Sequence, residues 1–307
     1  MFDTVARPCF ALSDPVEDET CWVECRVNWI LDTIKTVGGG QRSYDLSIRT
    51  PFYHPDFPVI IMWSEKAACT VIAKWFFHHI GLLDDALGHA RWIHEYENEV
   101  FKARPDYKRD CLAAIKSGKP IIKFTRNPYA RAYSGYLETC NKRVLHHPDH
   151  WSTKTRASIL ETLTGSSTEL EHAYSFVQFS QWMADQPAHA LDMHIAPQMT
   201  QIEQELNVDV VQLESLENGL PDMEARLGLP SSLGIEAVHT SSHHHKKTTA
   251  NPVLGSRILE VGLPVTRRPE FNLFDIKSNM IAASAAGPAL RAIFGSDFEA
   301  YGYDDAA

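Results

Sequence analysis

The sequence contains no run of the roughly 18–20 apolar residues that a membrane-spanning helix requires, which predicts a chain that does not cross a bilayer. Residues 1–10 lack the basic region followed by a long apolar run that marks a secretory leader. A cytoplasmic location without an N-terminal anchor is the expectation. A basic surplus is missing too: 29 Lys and Arg stand against 39 Asp and Glu, a formal net charge of −10. That balance argues against general nucleic-acid binding. It leaves room for a local basic pocket around a small anion. Cysteine is sparse, six residues at positions 9, 21, 25, 69, 111 and 140, with no repeated ligand spacing. Cys21-x-x-x-Cys25 has no His or Cys pair nearby to complete a zinc site. Thiols in a reducing compartment are expected. Also absent are the glycines of G-x-x-x-x-G-K-[ST], which excludes an ordinary Walker A loop.

What is present is a chain of 307 residues, 44% apolar and 22% charged, long enough to bury one large core or two small ones. Residues 1–57 read as an irregular N-terminal region packed on the domain that follows. Within it, alternation over 22–34 suggests a strand, Gly38-Gly39-Gly40 breaks the chain, and Pro51, Pro55 and Pro58 punctuate the approach to the main domain, 58–307. From 58 onward strands and helices alternate. Strands are predicted over 58–63, 120–125 and 208–213, and helices over 70–80, 128–139, 169–184, 215–227 and 287–294. The order implies an α/β fold with a central parallel sheet flanked by helices.

Two stretches carry chemistry. In Val59-Ile60-Ile61-Met62-Trp63-Ser64-Glu65-Lys66-Ala67-Ala68-Cys69-Thr70 an apolar strand meets a small polar loop with one Lys, and Thr70 opens a helix. Backbone N–H groups at a helix start, an ammonium and a hydroxyl make a phosphate cradle. Lys66 is the charge; Ser64, Ala67, Ala68, Cys69 and Thr70 are the donors. In Pro120-Ile121-Ile122-Lys123-Phe124-Thr125-Arg126-Asn127-Pro128 a second strand meets a helix, with Asn127 a good N-cap and Pro128 a good first helical residue. Arg126 then lies at the carboxyl end of a strand, where open α/β sheets bind ligands. Its guanidinium suits a phosphate. Arg131 should lie nearer solvent on the helix. Tyr129, Tyr133, Tyr136 and Leu137 should pack inward.

Together these blocks resemble the nucleotide-binding elements of the sulfotransferases, in particular the carbohydrate type (family 2-like). Weaker likenesses follow in the family's order: His194-Ile195-Ala196-Pro197-Gln198, Val210-Val211-Gln212-Leu213-Glu214-Ser215-Leu216 and Asp297-Phe298-Glu299-Ala300-Tyr301-Gly302-Tyr303. The resemblance spans roughly 58–303. It implies a P-loop NTPase-like sulfotransferase fold and an enzyme that takes 3′-phosphoadenosine 5′-phosphosulfate (PAPS) as donor substrate, with no metal. The first loop would hold the 5′-phosphosulfate. Arg126 and Ser134, eight residues apart, would hold the 3′-phosphate. The acceptor would be a hydroxyl, with a carbohydrate expected. The acidic balance tilts it toward something neutral or small. A P-loop-type kinase and a non-catalytic nucleotide-binding scaffold of the same fold are the alternatives.

The resemblance also places a catalytic His or Glu in Ile93-His94-Glu95-Tyr96-Glu97-Asn98-Glu99-Val100. His94 is the leading base because imidazole titrates near neutrality. Glu97 and Glu99 could serve if desolvation raised their pKa. His194 is the other candidate, for proton transfer or acceptor binding. The polar segment 239–249 holds His243-His244-His245 and two lysines. Adjacent histidines seldom converge on one metal. The resemblance instead implies a loop closing on the 3′-phosphate, through Lys246 or Lys247, with Lys247 chosen.

Overall fold

Three parallel strands form the only sheet among the described residues: β1 (Ile60–Met62), β2 (Ile121–Thr125) and β3 (Asp209–Gln212), in the order β1-β2-β3. Ile60 pairs with Ile121, and Ile122 with Asp209. The computed structural model describes residues 49–304 except 217, 240–256, 264 and 266–275. All of these fall in one unit, Thr33–Ala307. The strand suggested over 22–34 and the lysines at 246 and 247 lie outside the described residues.

Helices follow the strands in the expected alternation. After β1 come α1 (Cys69–His79), α2 (Leu83–His89), α3 (Ile93–Tyr96) with a π-turn over Glu97–Phe101, and α4 (Tyr107–Lys116). After β2 come α5 (Pro128–Thr139), α6 (Trp151–Thr164) and α7 (Phe176–Ala184). After β3 come α8 (Leu220–Leu227), α9 (Glu236–His239), α10 (Ser278–Ala282), α11 (Gly287–Ile293) and α12 (Gly295–Tyr301).

Because strand side chains alternate between faces, the sheet builds two cores at once. Ile61, Ile122, Phe124 and Val211 pack with Ile72, Trp75 and Phe76 of α1. Ile60, Met62 and Ile121 face the other way, against Cys111, Ala114 and Ile115 of α4. A third core is helical, with Tyr136, Phe176, Phe179, Leu290 and Phe298 among its buried members. Each large apolar side chain so buried contributes about 1.5–3 kcal/mol. The fold is α/β, a small parallel sheet flanked by helices.

Some boundaries differ from expectation. The helix predicted over 169–184 starts only at Phe176, because Ser175 and Gln178 form a reciprocal capping box there. The helix predicted over 215–227 is split: Leu213–Ser215 is a 3-10 turn, and Gly219, at φ 71°, sets the start of α8. Residues 49–57 join the main domain. Phe52 bridges to Ile61, and Phe52 and Phe57 are fully buried beside α1. No described helix is long and apolar enough to cross a membrane.

Candidate functional site

The loop between β1 and α1 turns without glycine. Lys66 (φ 64°) and Ala68 (φ 56°) both take left-handed backbone, and no other described non-glycine residue has a positive φ. A Cβ makes that conformation cost roughly 1–2 kcal/mol per residue, the kind of local strain that clusters at ligand sites. Ala68 is the N-cap of α1 and brings no side-chain cap. In the first turn Val71 N donates back to the Ala68 carbonyl at 3.0 Å, and the N–H groups of Cys69 and Thr70 stand at the positive end of the dipole. Cys69 and Thr70 are the first two helical residues, as the cradle requires. The Ser64 hydroxyl is buried in the same loop and has no hydrogen-bond partner among the described residues. Ala67 is a correction: its N–H donates to the Ser64 carbonyl at 3.1 Å, so it closes the loop instead of facing a ligand.

Lys66 extends from this turn to Glu138 Oε2 on α5, 3.0 Å from Nζ, and lies over the Trp151 ring at 5.7 Å. Thus the cradle's ammonium carries a carboxylate partner from a different element. Glu138 is positioned through its second oxygen, which accepts from Asn141 Nδ2 at 3.1 Å.

The Arg126 block meets the cradle directly. Arg126 Nη1 donates to the Lys66 carbonyl at 3.0 Å. Its own peptide N–H and C=O are both taken by the Gln198 side chain, at 3.0 and 2.8 Å. Asn127 caps α5, accepting from Tyr129 N and Ala130 N, and Pro128 is the first helical residue, as expected. Ser134 lies on the second turn of α5, half-buried. Among the described residues no hydrogen bond joins it to Arg126.

Arg131 is the clearest correction on α5. It is fully buried and its guanidinium donates to the carbonyls of Glu65, Ala196 and Met193 at 2.8, 2.6 and 2.8 Å. A single side chain thereby ties the cradle to the loop carrying His194. Arg49 does the same from the opposite side, with Glu65 Oε2 at 2.7 Å and the carbonyls of Met193 and Gln198. Buried carbonyls need such donors, and hydrogen bonds from a charged group are the stronger kind.

The three weaker sequence likenesses converge on the carboxyl ends of β2 and β3. The Asp297 carboxylate accepts from Gln198 N and Met199 N at 2.8 and 2.9 Å. Gln212 reaches the Tyr301 carbonyl at 2.8 Å. Glu214 accepts from Asn127 N at 2.9 Å and from the Tyr303 hydroxyl at 3.1 Å. Below them Lys123 is buried against Glu203, which also accepts from the Tyr301 hydroxyl.

His94 is placed behind the cradle and is buried. Its Nδ1 is 2.5 Å from Glu97 Oε2, and its Nε2 is 3.4 Å from Thr70 Oγ1. Glu97 in turn holds Lys102 Nζ, which also donates to the Thr50 carbonyl. Burial opposes a charge on His94, but the Cys69 sulfur and the Glu97 carboxylate outweigh it and hold the imidazole up at about 10. An imidazolium has no lone pair with which to accept a proton. This geometry suits a donor to the Thr70 hydroxyl better than a base. Glu97 does not gain the raised pKa that a carboxylate base would need. Burial alone would raise it, yet Lys102 and His94 keep it below the usual range. Glu99 is exposed and pairs with His89 at 3.2 Å, so it belongs to the surface.

His194 lies on the other side of Lys66. Its ring stacks on Trp151, centroids 4.4 Å apart and planes 2° from parallel. Asp192 Oδ1 accepts from the His194 backbone N–H at 3.0 Å and sits 2.6 Å from Nδ1. Asp192, Trp151, Glu138 and Lys102 were not read from the sequence. Asp192 had a faint signal, a carboxylate two residues before a His. The others come from distant segments and carried none. Among the described residues no group of three or more His, Cys, Asp or Glu is arranged to hold a metal ion. No known family, curated protein or solved structure matches the chain.

Proposed function

We propose that this chain is a PAPS-dependent sulfotransferase of the P-loop-like fold, moving a sulfuryl group to a hydroxyl, with a carbohydrate as the expected acceptor class. The observation that carries the reading is the loop before α1. Two non-glycine residues are held left-handed at a helix start without a side-chain cap, with a buried Ser64 hydroxyl that has no partner among the described residues and the Lys66 ammonium alongside. These groups suit a doubly charged phosphosulfate, a mixed anhydride: N–H donors and hydroxyls for the oxygens, and a cation for the charge that grows on the bridging oxygen as the S–O bond breaks. Arg126, at the end of β2, is the group assigned to the 3′-phosphate, with Ser134 and Lys247 as its sequence-derived companions. The Glu97–His94–Thr70 chain orients the Thr70 hydroxyl in the cradle.

Sulfuryl transfer follows the logic of phosphoryl transfer, where positioning and electrostatics do most of the catalysis. The ties from Arg126 and Arg131 to cradle carbonyls, and from Arg49 to the Glu65 carboxylate, supply that rigidity.

Thermal unfolding with added nucleotide tests the reading. 3′,5′-Adenosine bisphosphate should raise the Tm, since a ligand at 100 times its Kd adds about 2.7 kcal/mol of stability. AMP should raise it much less. Equal shifts from AMP would remove the 3′-phosphate site, and a larger shift from ATP would favour a kinase.

A further inference from the structure

The Lys66 ammonium and the His194 imidazole lie on a shared aromatic ring. Nζ is 5.7 Å from the Trp151 centroid, and the imidazole stacks on the same indole at 4.4 Å. Asp192 fixes the imidazole through Nδ1 at 2.6 Å, which leaves Nε2 as the nitrogen that can carry a lone pair. The His194 side chain is 22% exposed, against 7% for His94. We infer that His194, oriented by Asp192, takes the proton of the acceptor hydroxyl at Nε2. This rests on the sulfuryl-transfer reading.

The step balances without a further reagent. The acceptor oxygen forms a bond to sulfur, and its proton passes to His194 Nε2. The bond from sulfur to the bridging oxygen breaks. 3′,5′-Adenosine bisphosphate leaves with that electron pair, stabilised by Lys66. Asp192 then faces an imidazolium, the charge pattern that makes a carboxylate–histidine pair effective.

Charges around the imidazole agree with this role. Burial pulls His194 below its ordinary value, against the pull of Asp192 and Glu65 and together with Lys66, the direction that favours the neutral ring a base needs. His150, which caps α6 beside Trp151, is also held low by burial, His194 and Lys66, at about 4. The loop's position is set by close packing. A Cβ added at Gly135 of α5 would meet Ile195 Cγ2 at 2.6 Å. The carbonyls of Met193 and Ala196, on either side of His194, are held by Arg131.

The test uses the full chain, PAPS as donor, and both water and a panel of p-nitrophenyl hexosides as acceptors. Release of 3′,5′-adenosine bisphosphate is followed, and its binding is measured separately by calorimetry. His194→Ala and His194→Asn should bind the nucleotide within about twofold of the parent and lose on the order of 10²-fold in release rate. His194→Asn keeps a donor toward Asp192, so it controls for folding. Asp192→Asn should lose about tenfold and move the acid limb of the pH profile, which in the parent should lie on the acid side of an ordinary histidine. Added imidazole should restore part of the His194→Ala rate. Parent-like release by His194→Asn, or an acid limb unchanged in both His194 variants, overturns the assignment of the base alone. A parent that binds no 3′,5′-adenosine bisphosphate, or releases none from PAPS, overturns the sulfotransferase reading and the inference with it. Loss of nucleotide binding in His194→Asn makes His194 a structural residue and overturns the inference.

Discussion

Arg126 Nη1 donates to the main-chain carbonyl of Lys66 at 3.0 Å. The end of β2 thereby holds the turn that follows β1, so the two strand-to-helix loops that the sequence singled out form one structure. The carbonyl belongs to a left-handed residue, and its orientation depends on that turn. Arg126 thus has a bracing role, whatever ligand contact it adds.

That dual role predicts a split outcome at Arg126. Arg126→Ala should weaken 3′,5′-adenosine bisphosphate by tenfold or more and AMP by a few-fold, as measured by calorimetry. The larger loss belongs to a charge-assisted phosphate contact, worth about 1.5–3 kcal/mol. The smaller belongs to the brace. Equal losses for the two nucleotides would leave Arg126 as a brace only.

Ala68 should be improvable. Glycine takes its left-handed conformation without the Cβ penalty, so Ala68→Gly should raise unfolding stability by about 0.5–1 kcal/mol. Ala68→Val should lower it by more than 1 kcal/mol, because a β-branched residue fits that region worst. Urea unfolding midpoints at constant m-value are the readout. A destabilised Ala68→Gly protein would show that the turn is not strained in solution.

Lys66 and Glu138 predict opposite effects. Lys66→Ala should cost on the order of 10² in turnover if the ammonium meets charge formed in the transition state. Glu138→Gln removes the carboxylate 3.0 Å from Nζ and should tighten 3′,5′-adenosine bisphosphate several-fold, since the anion no longer competes with it. An effect of Lys66→Ala confined to affinity would make it a ground-state anchor.

The His94–Glu97 pair predicts a stability profile. The imidazole's folded value, about 10, lies above the unfolded value near 6.5. Its contribution is complete below pH 6.5 and is lost as pH rises toward 10. Glu97 is depressed, so its contribution is present above the ordinary carboxylate range and falls away only in acid. Unfolding free energy should therefore decline between pH 7 and 10 by an amount on the order of a few kcal/mol. The decline should flatten in His94→Gln. A parent profile already flat over that range would mean that His94 is neutral in the folded protein.

Sequence alone determined the elements nearest to local physics. An apolar run ending in a small polar loop marked β1 and α1. Asn127-Pro128 marked the start of α5 to the residue, because capping and proline geometry act within one turn. The convergence of residues 194–198, 210–216 and 297–303 was legible only as an order along the chain. Tertiary structure decided everything that depends on a partner far away. It buried Arg131, since three carbonyls from two other loops needed a donor, and nothing in α5 itself records them. It gave Lys66 its partner Glu138 and closed the Ala67 N–H inside the loop. It gave two histidines of the same type different surroundings. His94, packed between Glu97 and Thr70, is held as a cation. His194, stacked on Trp151 and only part-buried, is drawn below its ordinary value by burial. Residue type sets where an imidazole titrates in water, and neighbours brought by the fold decide which form it takes in the protein.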